Sequence, residues 1–264
     1  MAQIKEEIHQ VDGNTLRVLT THVAQAPYLL IFNGIGASAD LLRPLIGSLK
    51  VSVITFDLPG VGSSPAQFWP RRMHQYASLA RLLLDELKIE KCNVMGISWG
   101  GGLAQEFARR YPESTNRLIL AATSTGHLMM PPSIAVIFRM ATPLRYLSAG
   151  YFNRIAGDIY GGDFRNNRER SKQHQQHMSP PSTWGYLSQL YAMSGWTSLF
   201  WLHKISAPTL VMAGDDDPII PMANARLLAN RLPDAQLEIF DCGHLFVLTR
   251  LDAVISRMHR FLNA

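Results

Sequence analysis

Cysteine, charge and long apolar runs are all scarce in this sequence of 264 residues. Only Cys92 and Cys242 occur, which excludes a disulfide framework and favours a reducing, cytoplasmic location. Charged residues make up 17%, against roughly 25% in an average globular protein. Hydrophobic residues make up 47%, so the chain can bury a large core, which excludes a disordered protein.

No stretch approaches the roughly 18 uninterrupted apolar residues of a membrane-spanning helix. The most apolar segment, residues 128–142, is interrupted by Pro131, Pro132 and Arg139. The first residues lack the basic start and the apolar run of a secretory signal. We therefore expect no transmembrane segment and no secretion.

The net charge of +5 raises the question of a nucleic-acid partner. The basic residues are scattered in short clusters at 71–72, 109–110 and 165–170. They form neither a stripe nor a patch interleaved with aromatic residues. We expect a solvated basic surface and no nucleic-acid binding.

Short apolar runs rich in β-formers alternate with segments of helical period, which predicts an α/β protein with a mostly parallel sheet. The predicted strands are residues 16–20, 28–32, 51–56, 92–95, 118–121, 209–212 and 237–240. The predicted helices are residues 39–49, 74–87, 103–110, 223–231 and 252–261.

This alternation stops between residues 126 and 204, which are rich in Met, aromatic residues, Pro and Gly. A loop of that length does not stay unstructured inside a compact domain. We predict a helical insertion, or lid, over residues 126–204, and a core domain over residues 1–125 and 205–264.

The motif Gly96-Ile97-Ser98-Trp99-Gly100 follows the predicted strand 92–95 and precedes a helix expected from about Gly102. Strand, Gly-x-Ser-x-Gly and helix in this order are typical of a nucleophile elbow. The serine then lies in a strained turn that lifts its hydroxyl clear of the sheet. Glycine is needed on both sides because a side chain would crowd the turn. Ser98 is the candidate nucleophile.

A serine needs a base and a group that orients the base. In this fold they follow in the order Asp or Glu, then His. His244 follows the predicted strand 237–240 and is the expected base. Asp215, Asp216 and Asp217 follow the predicted strand 209–212. Asp217 is favoured because Pro218 and Pro221 stiffen its turn, and Asp216 is the alternative. The aspartates that do not orient the base would cap local backbone groups.

The amide of Trp99 and an amide in the turn after strand 28–32, best Ile35, are expected to form an oxyanion hole. That turn, residues 34–39, also imitates a dinucleotide-binding fingerprint, with Asp57 at the position of the ribose-binding acid. This leaves NAD binding as a minor alternative. The loop at residues 57–64 is more typical of a structural turn.

Other reactive side chains carry weaker signals. His174 and His177 are three residues apart and could share a helix face, but a metal site needs a third ligand that the sequence does not show. We expect them on a solvated face. Cys92 is predicted to be a small buried hydrophobic residue, and Cys242 is poorly placed to replace Ser98.

The chain resembles the serine-nucleophile α/β-hydrolases, and most closely their intracellular medium-chain polyhydroxyalkanoate depolymerases. The resemblance extends over nearly the whole chain and includes the predicted insertion. It rests on the motifs FNGIGA (32–37), LPGVG (58–62), VMGISWGG (94–101), LAAT (120–123), IYGGDFR (159–165), GWTS (195–198), WLHKI (201–205), GDDDP (214–218) and GHLF (243–246).

The resemblance implies an α/β-hydrolase fold, with a mostly parallel central sheet flanked by helices and a helical lid inserted after the sixth core strand. It implies Ser98, Asp217 and His244 as the catalytic residues and Ile35 and Trp99 as the oxyanion hole, with no metal or organic cofactor. Asn33 stands where many relatives carry histidine, and is expected to contact substrate.

The lid residues are expected to form an apolar roof over Ser98, while at least half of them only pack the insertion onto the core. Adaptable methionines and flat aromatic rings suit alkyl chains. The exposed remainder is expected to dock onto a hydrophobic storage granule. The roof comprises Met129, Met130, Ile134, Val136, Ile137, Phe138, Met140, Trp184, Tyr186, Leu187, Leu190, Tyr191 and Trp196, of which Met129, Met130, Ile134, Phe138, Trp184 and Trp196 are the favoured substrate contacts.

The implied activity is hydrolysis of carboxylic esters, above all medium-chain polyhydroxyalkanoate polyesters or their oligomers. Three alternatives remain at this point. A general carboxylesterase or lactonase would use the same residues on small apolar esters. A hydrolase-like protein would hold an apolar ligand with little turnover, and an acyltransferase would use an alcohol or thiol in place of water.

Overall fold

The computed structural model describes residues 3–176 and 178–263. An eight-stranded sheet has the order β1-β2-β4-β3-β5-β6-β7-β8. The first three strands of that order pair antiparallel and the rest pair parallel. The strands are β1 (Lys5–Val11), β2 (Asn14–Thr21), β3 (Tyr28–Phe32), β4 (Ser52–Phe56), β5 (Cys92–Ile97), β6 (Thr115–Ala121), β7 (Thr209–Gly214) and β8 (Ala235–Phe240).

Twelve α-helices lie within the described ranges. They are α1 (Arg43–Ser48), α2 (Met73–Glu86), α3 (Trp99–Arg110), α4 (Ile134–Met140), α5 (Leu144–Leu147), α6 (Ala149–Tyr160), α7 (Asp163–Asn166), α8 (Arg168–Gln176), α9 (Thr183–Met193), α10 (Ala223–Arg231), α11 (Phe246–Thr249) and α12 (Leu251–Leu262). None of the helices in the described part of the chain is both long enough and apolar enough to cross a membrane.

Helices cover both faces of the sheet, so its central strands are apolar along their whole length. Leu30 and Phe32 of β3 point into one core with helices α2, α3 and α10. Leu29 and Ile31 of the same strand point into a second core with α1, α11 and α12. The predicted α/β architecture is confirmed, and the carboxyl ends of the parallel strands meet at one edge.

Strand β1 was missing from the predicted set. Strand β1 lies at the sheet edge, where it pairs with β2 and its charged side chains can reach solvent. In the sequence, those charged residues make it look like a solvated loop. The turn between β1 and β2 is Asp12-Gly13, and both residues have positive φ, at 50° and 70°. An Asp-Gly pair between two strands is a strong hairpin signal, so this strand was predictable.

Two predicted helix boundaries were wrong. Residues 39–49 are a 3-10 turn (Ala39–Leu42) followed by α1, because Pro44 cannot donate the hydrogen bond that a helix interior needs. Helix α3 begins at Trp99, directly after Ser98, rather than near Gly102. Its three glycines are closely packed: Gly100 lies against the backbone of Phe32, Gly101 against the Thr123 side chain, and Gly102 against the Met193 and Trp196 side chains.

The described residues between β6 and β7 form helices α4 to α9 and a single isolated bridge, Gly126 to Thr197. Val136, Phe152 and Ile155 belong to a separate apolar cluster that also contains Ile219. The division of the chain into a core and a lid at residues 126–204 stays a prediction.

A buried ion cluster fixes the amino-terminal edge of the sheet. Arg17 of β2 is 5% exposed and donates to both oxygens of Glu6, to both oxygens of Asp40 and to Oδ2 of Asp57. The hydrogen bond from Arg17 lowers the pKa of Asp40 to about 2. Asp57 also accepts from the amides of Ala39 and Ser63. Its carboxylate is thus used inside the protein, which removes the ribose-binding role of the dinucleotide alternative.

We predict that Arg17→Met lowers the free energy of unfolding by roughly 3–5 kcal/mol, because it leaves buried Asp57 without its cation. Arg43→Met is the matched control. Arg43 contacts Glu6 and Asp40 from the surface, so its loss costs less than about 1 kcal/mol. Urea unfolding of the three proteins measures both changes, and equal losses for the two variants would contradict this account.

Candidate active site

Ser98 occupies a strained turn between β5 and α3. Its φ of 55° and ψ of −120° lie outside the regions that residues with a Cβ normally adopt. The turn is held by three hydrogen bonds: Ser98 N donates to Ala121 O, while Ser98 O accepts from Gly101 N and from Thr123 Oγ1. The hydroxyl is thereby presented at the carboxyl edge of the sheet.

Two glycines flank this turn because there is no room for a side chain. A Cβ on Gly96 would lie 2.2 Å from Gly100 O, and a Cβ on Gly100 would lie 2.3 Å from Phe32 O. Backbone atoms cannot move aside as a flexible side chain can. The predicted reason for glycine at both positions is confirmed by these distances.

His244 contacts Ser98 and Asp217 contacts His244, and the two residues follow the neighbouring strands β8 and β7. The Nε2 atom of His244 lies 3.0 Å from Ser98 Oγ, and its Nδ1 atom lies 2.7 Å from Asp217 Oδ2. An ionised carboxylate only accepts, so Nδ1 carries the proton and the Ser98 hydroxyl donates to Nε2. The imidazole is thus in the tautomer that a general base needs.

Main-chain and aromatic contacts fix the base. The amide of His244 donates to Tyr160 O at 2.7 Å. The two rings lie nearly parallel, at 17°, with centroids 6.3 Å apart. Tyr160 is the last residue of α6, so this helix sets the position of the base.

The three aspartates after β7 have three different partners. Asp217 Oδ1 accepts from the amides of Ile219 and Ile220, both at 2.9 Å, which leaves Oδ2 to His244. Asp216 forms a two-pronged ion pair with Arg165 and accepts from Gly162 N. Asp215 accepts from Cys242 N. The structure therefore brings Asp217, and not Asp216, to His244.

The two amides predicted to form the oxyanion hole belong to residues that line the larger cavity together with Ser98. Within the described residues, neither Ile35 N nor Trp99 N donates to another part of the protein. Gln189 of α9 is hydrogen-bonded to both segments that carry these amides. Its side-chain Oε1 accepts from Gly36 N, and its backbone carbonyl accepts from Trp99 Nε1. Tyr146 donates to Ile35 O. Gln189 and Tyr146 were not predicted, since nothing in the sequence links helices so distant along the chain to the turn at Ser98.

Two cavities meet at Ser98. The larger, of about 500 Å³, is lined mainly by apolar residues. The smaller, of about 70 Å³, is lined by His244, Tyr160 and Arg145. Ile35, Ser98, Met140 and Ile219 border both. The roof residues that line the larger cavity are Met129, Val136, Ile137, Met140, Tyr186 and Leu190.

Of the predicted substrate contacts, Asn33 lines the smaller cavity and Met129 the larger one. Met130, Ile134 and Phe138 are instead exposed, at 53%, 72% and 72%. This corrects their assignment to the inner roof, because the inner face of α4 is formed by Val136, Ile137 and Met140.

The two predicted tryptophans also have other partners. Trp184 Nε1 donates to Gln67 O at the surface. The Trp196 ring packs over Gly102 and Gly126, and its Nε1 donates to Glu106 Oε2. Neither tryptophan lines the two cavities at Ser98, since the hydrogen bonds to Gln67 and Glu106 hold the rings elsewhere.

Of the weaker candidates, His174 lines the smaller cavity together with Ser98 and His244. His174 is half-buried among Phe152, Tyr160 and Phe164 rather than on a solvated face, and His177 lies outside the described residues. In the described ranges no three His, Cys, Asp or Glu side chains are grouped as metal ligands. Burial raises the pKa of the Cys92 thiol to about 12, and Cys242 Sγ contacts Thr249 Oγ1.

Comparisons with known proteins show which family this chain is similar to. A family model described as the alpha/beta hydrolase fold matches residues 27–251. A poly(3-hydroxyalkanoate) depolymerase of Ectopseudomonas oleovorans is 50% identical over 236 residues, which cover 89% of this chain and 83% of that protein. The 3-oxoadipate enol-lactonase 2 of Acinetobacter baylyi is 27% identical over 236 residues, covering 87% of this chain and 86% of that protein.

Solved structures show the same fold at low identity. A hydrolase from Pseudomonas aeruginosa superposes with a TM-score of 0.85 at 22% identity, covering 98% of this chain and 99% of its own. The enol-lactonase of Burkholderia xenovorans superposes with a TM-score of 0.84 at 22% identity, covering 98% of this chain and 100% of its own.

We predict that Asp217→Asn slows labelling of Ser98 by a fluorophosphonate on the order of 10³- to 10⁴-fold, because an amide no longer holds the imidazole in the basic tautomer. Asp216→Asn is the matched control. It breaks a surface ion pair with Arg165, so its effect is below about threefold. A large loss of labelling rate in Asp216→Asn and a small one in Asp217→Asn would show that Asp216, and not Asp217, orients His244.

Proposed function

Since the chain belongs to the α/β-hydrolase fold family and is an ester-hydrolysing enzyme, we propose that it cleaves carboxylic esters through an acyl-enzyme on Ser98. The observation that carries this proposal is the hydrogen-bonded series from Ser98 Oγ through His244 to Asp217. Each link is short, and His244 and Asp217 are buried. A serine placed in this way has a base within reach of its proton.

In the proposed first step, Ser98 Oγ attacks the ester carbonyl and its proton passes to His244 Nε2. Asp217 stabilises the imidazolium and keeps it oriented. The carbonyl oxygen becomes an oxyanion that faces the amides of Ile35 and Trp99. One such donor typically lowers the barrier by about 2.7–4 kcal/mol. Gln189 and Tyr146 would then be positioning residues for this pair of amides.

The intermediate collapses when the bond from carbon to the leaving oxygen breaks. His244 gives its proton to that oxygen, and the alcohol departs. Water then attacks the acyl-enzyme while His244 takes the water's proton. Collapse of the second intermediate breaks the bond to Ser98, which regains a proton from His244, and the acid is released.

The proposed substrates are medium-chain polyhydroxyalkanoate polyesters or their oligomers. Two observations support this choice. The relative named as a poly(3-hydroxyalkanoate) depolymerase shares half of the aligned residues. The larger cavity, of about 500 Å³, is lined by Met129, Val136 and Leu190, and adaptable apolar side chains suit an alkyl group.

The experiment that tests this proposal compares wild type with Ser98→Ala. We predict that wild type clears a medium-chain polyhydroxyalkanoate suspension and hydrolyses p-nitrophenyl esters best at intermediate acyl lengths, because the cavity accommodates an alkyl chain. Ser98→Ala loses about 10⁴-fold or more in rate, since the nucleophile is gone. The assays are turbidity loss for the polymer and release of p-nitrophenol for esters of two to twelve carbons.

Two other results would change the assignment. Fast ester turnover without clearing would favour a general carboxylesterase or lactonase; the relative from Acinetobacter baylyi is named as an enol-lactonase. Absence of any Ser98-dependent turnover would favour a hydrolase-like protein that binds an apolar ligand.

We propose that residues 126–204 act as a lid over Ser98. Helix α4 contributes Val136, Ile137 and Met140 to the larger cavity, and α9 contributes Tyr186 and Leu190. Residues from this segment therefore cover the site from two sides. The same segment contains the tyrosine and glutamine that fix the Ile35 turn.

The outer side of this segment is the proposed contact with the polymer granule. Met130, Ile134 and Phe138, which we call the α4 face, are more than half exposed. They alternate with Pro131, Pro132 and Ile137, which line the larger cavity. An exposed apolar face next to a cavity entrance suits a hydrophobic surface that feeds the site. The proposal places the enzyme in the cytoplasm at the granule surface.

We predict that the double variant Ile134→Ser/Phe138→Ser loses about tenfold in binding to polymer particles, because two large apolar contacts are removed. Its hydrolysis of p-nitrophenyl butyrate stays within about twofold, since neither side chain lines a cavity at Ser98. Cosedimentation with the particles measures binding. The control Phe68→Ser/Trp69→Ser alters an exposed aromatic pair away from the α4 face. Equal binding by wild type and the α4-face variant would contradict the proposal.

A further inference from the structure

Arg145 of α5 is a buried cation that has no acidic partner among the described residues. It is 2% exposed, and within the described residues no carboxylate lies within 4.0 Å of its guanidinium. Nη1 donates to Tyr186 Oη at 2.7 Å. The group stacks over the Tyr146 ring at 4.6 Å and the Tyr186 ring at 5.3 Å. Nε is buried and has no acceptor among the described residues.

The other buried arginine described above shows what Arg145 lacks. Arg17 is similarly inaccessible, but three carboxylates surround it. An arginine stays protonated inside a protein, and a buried charge is normally paired. Tyrosine hydroxyls and ring faces supply partial negative charge to Arg145, but the described part of the chain provides no counter-ion for its full positive charge.

The location of Arg145 indicates where such a counter-ion would come from. Arg145 lines the smaller cavity together with Ser98 and His244. His244 borders this cavity and not the larger one. Since the base must hand its proton to the departing alcohol, the smaller cavity is the leaving-group side of the site and the larger cavity is the acyl side.

We infer that Arg145 binds a free carboxylate on the leaving alcohol of the ester substrate, an inference that rests on the proposed function. A planar guanidinium matches a carboxylate and binds it in two-pronged fashion. At the carboxyl end of a poly(3-hydroxyalkanoate) chain, the last alcohol is a 3-hydroxy acid, which carries both the scissile ester oxygen and a free carboxylate. The site is therefore built to remove hydroxy acids from the carboxyl end.

The chemistry of each cut balances without a further reactant. The bond from the acyl carbon to the oxygen of the terminal unit breaks, and that oxygen takes the proton from His244. The alkyl chain of the departing 3-hydroxy acid extends from the smaller cavity into an adjoining cavity of about 350 Å³, which shares Leu41, His174 and Leu248 with it. The free acid leaves by this route, while the shortened chain stays bound to Ser98 until water releases it. Release exposes a new terminal carboxylate on the polymer, which is the group that Arg145 binds in the next cycle. Arg145 itself exchanges no proton.

A matched pair of substrates tests this inference in the wild-type enzyme. One is the linear dimer of 3-hydroxyoctanoate with a free carboxylate, and the other is its methyl ester, which has the same scissile bond and no charge. We predict that kcat/KM for the acid exceeds that for the methyl ester by about tenfold or more, since a hydrogen bond to a charged group is at stake. Equal values would overturn the inference.

Arg145→Met tests the residue itself. We predict a loss of roughly 10- to 100-fold in kcat/KM on the dimer acid and less than about threefold on its methyl ester. Arg154→Met is the control: Arg154 is exposed on α6 and stacks over Tyr151, so both substrates keep wild-type rates. Equal losses on the two substrates would show that Arg145 only supports the fold of this region, and would overturn the inference.

Two further measurements cover failure of the variant to fold and failure of the proposed function. Should Arg145→Met not fold, product inhibition of wild type by 3-hydroxyoctanoate and by its methyl ester tests the inference instead. We expect the acid to bind about tenfold more tightly than the ester. Equal binding of the two would contradict the role of Arg145. If wild type cleaves neither the dimers nor p-nitrophenyl esters, the proposed function itself has failed. If it cleaves both dimers equally, only the role of Arg145 has failed.

Discussion

The backbone conformation of Ser98 is the constraint on which the rest of the site depends. A residue with positive φ in this region typically costs about 1–3 kcal/mol and persists only when its surroundings enforce it. Here β6 supplies Ala121 O, the residues after β6 supply Thr123, and α3 supplies Gly101 N. Two apolar cores hold these elements in place. Because the turn is fixed, the hydroxyl has a defined position toward which a base and two amides can be directed.

The groups next to Ser98 are themselves held in place by further residues. His244 is held by Asp217 on one side and by Tyr160 behind its ring. The Ile35 turn is held by Gln189 and Tyr146, both from the segment between β6 and β7. In addition to its proposed role as a lid, that segment therefore holds the turn that carries Ile35. The same segment thus lines the larger cavity and positions the turn that carries the Ile35 amide.

The fold, and the grouping of Ser98 with His244 and Asp217, could be predicted from the sequence because both depend on local patterns. Strand-forming runs, the glycines around Ser98 and polar residues at strand ends are all visible in a linear reading. Asp217 could be favoured over Asp216 from its prolines, and the contacts of Arg165 with Asp216 explain the difference. The inner and outer sides of α4 could not be assigned, because a short helix rich in apolar residues on all sides has no distinctive period. Arg145 and Gln189 were invisible for another reason: their significance depends on partners far away in the chain.

The most direct test of the account is to trap its covalent intermediate. Wild type mixed with p-nitrophenyl hexanoate and quenched in acid within the first turnover should yield a peptide containing Ser98 that is heavier by one hexanoyl group. Fragmentation of that peptide should place the acyl group on the serine oxygen, because Ser98 is the group with a base 3.0 Å away. Turnover with an unmodified Ser98, or with the acyl group on Cys242, would contradict the central claim.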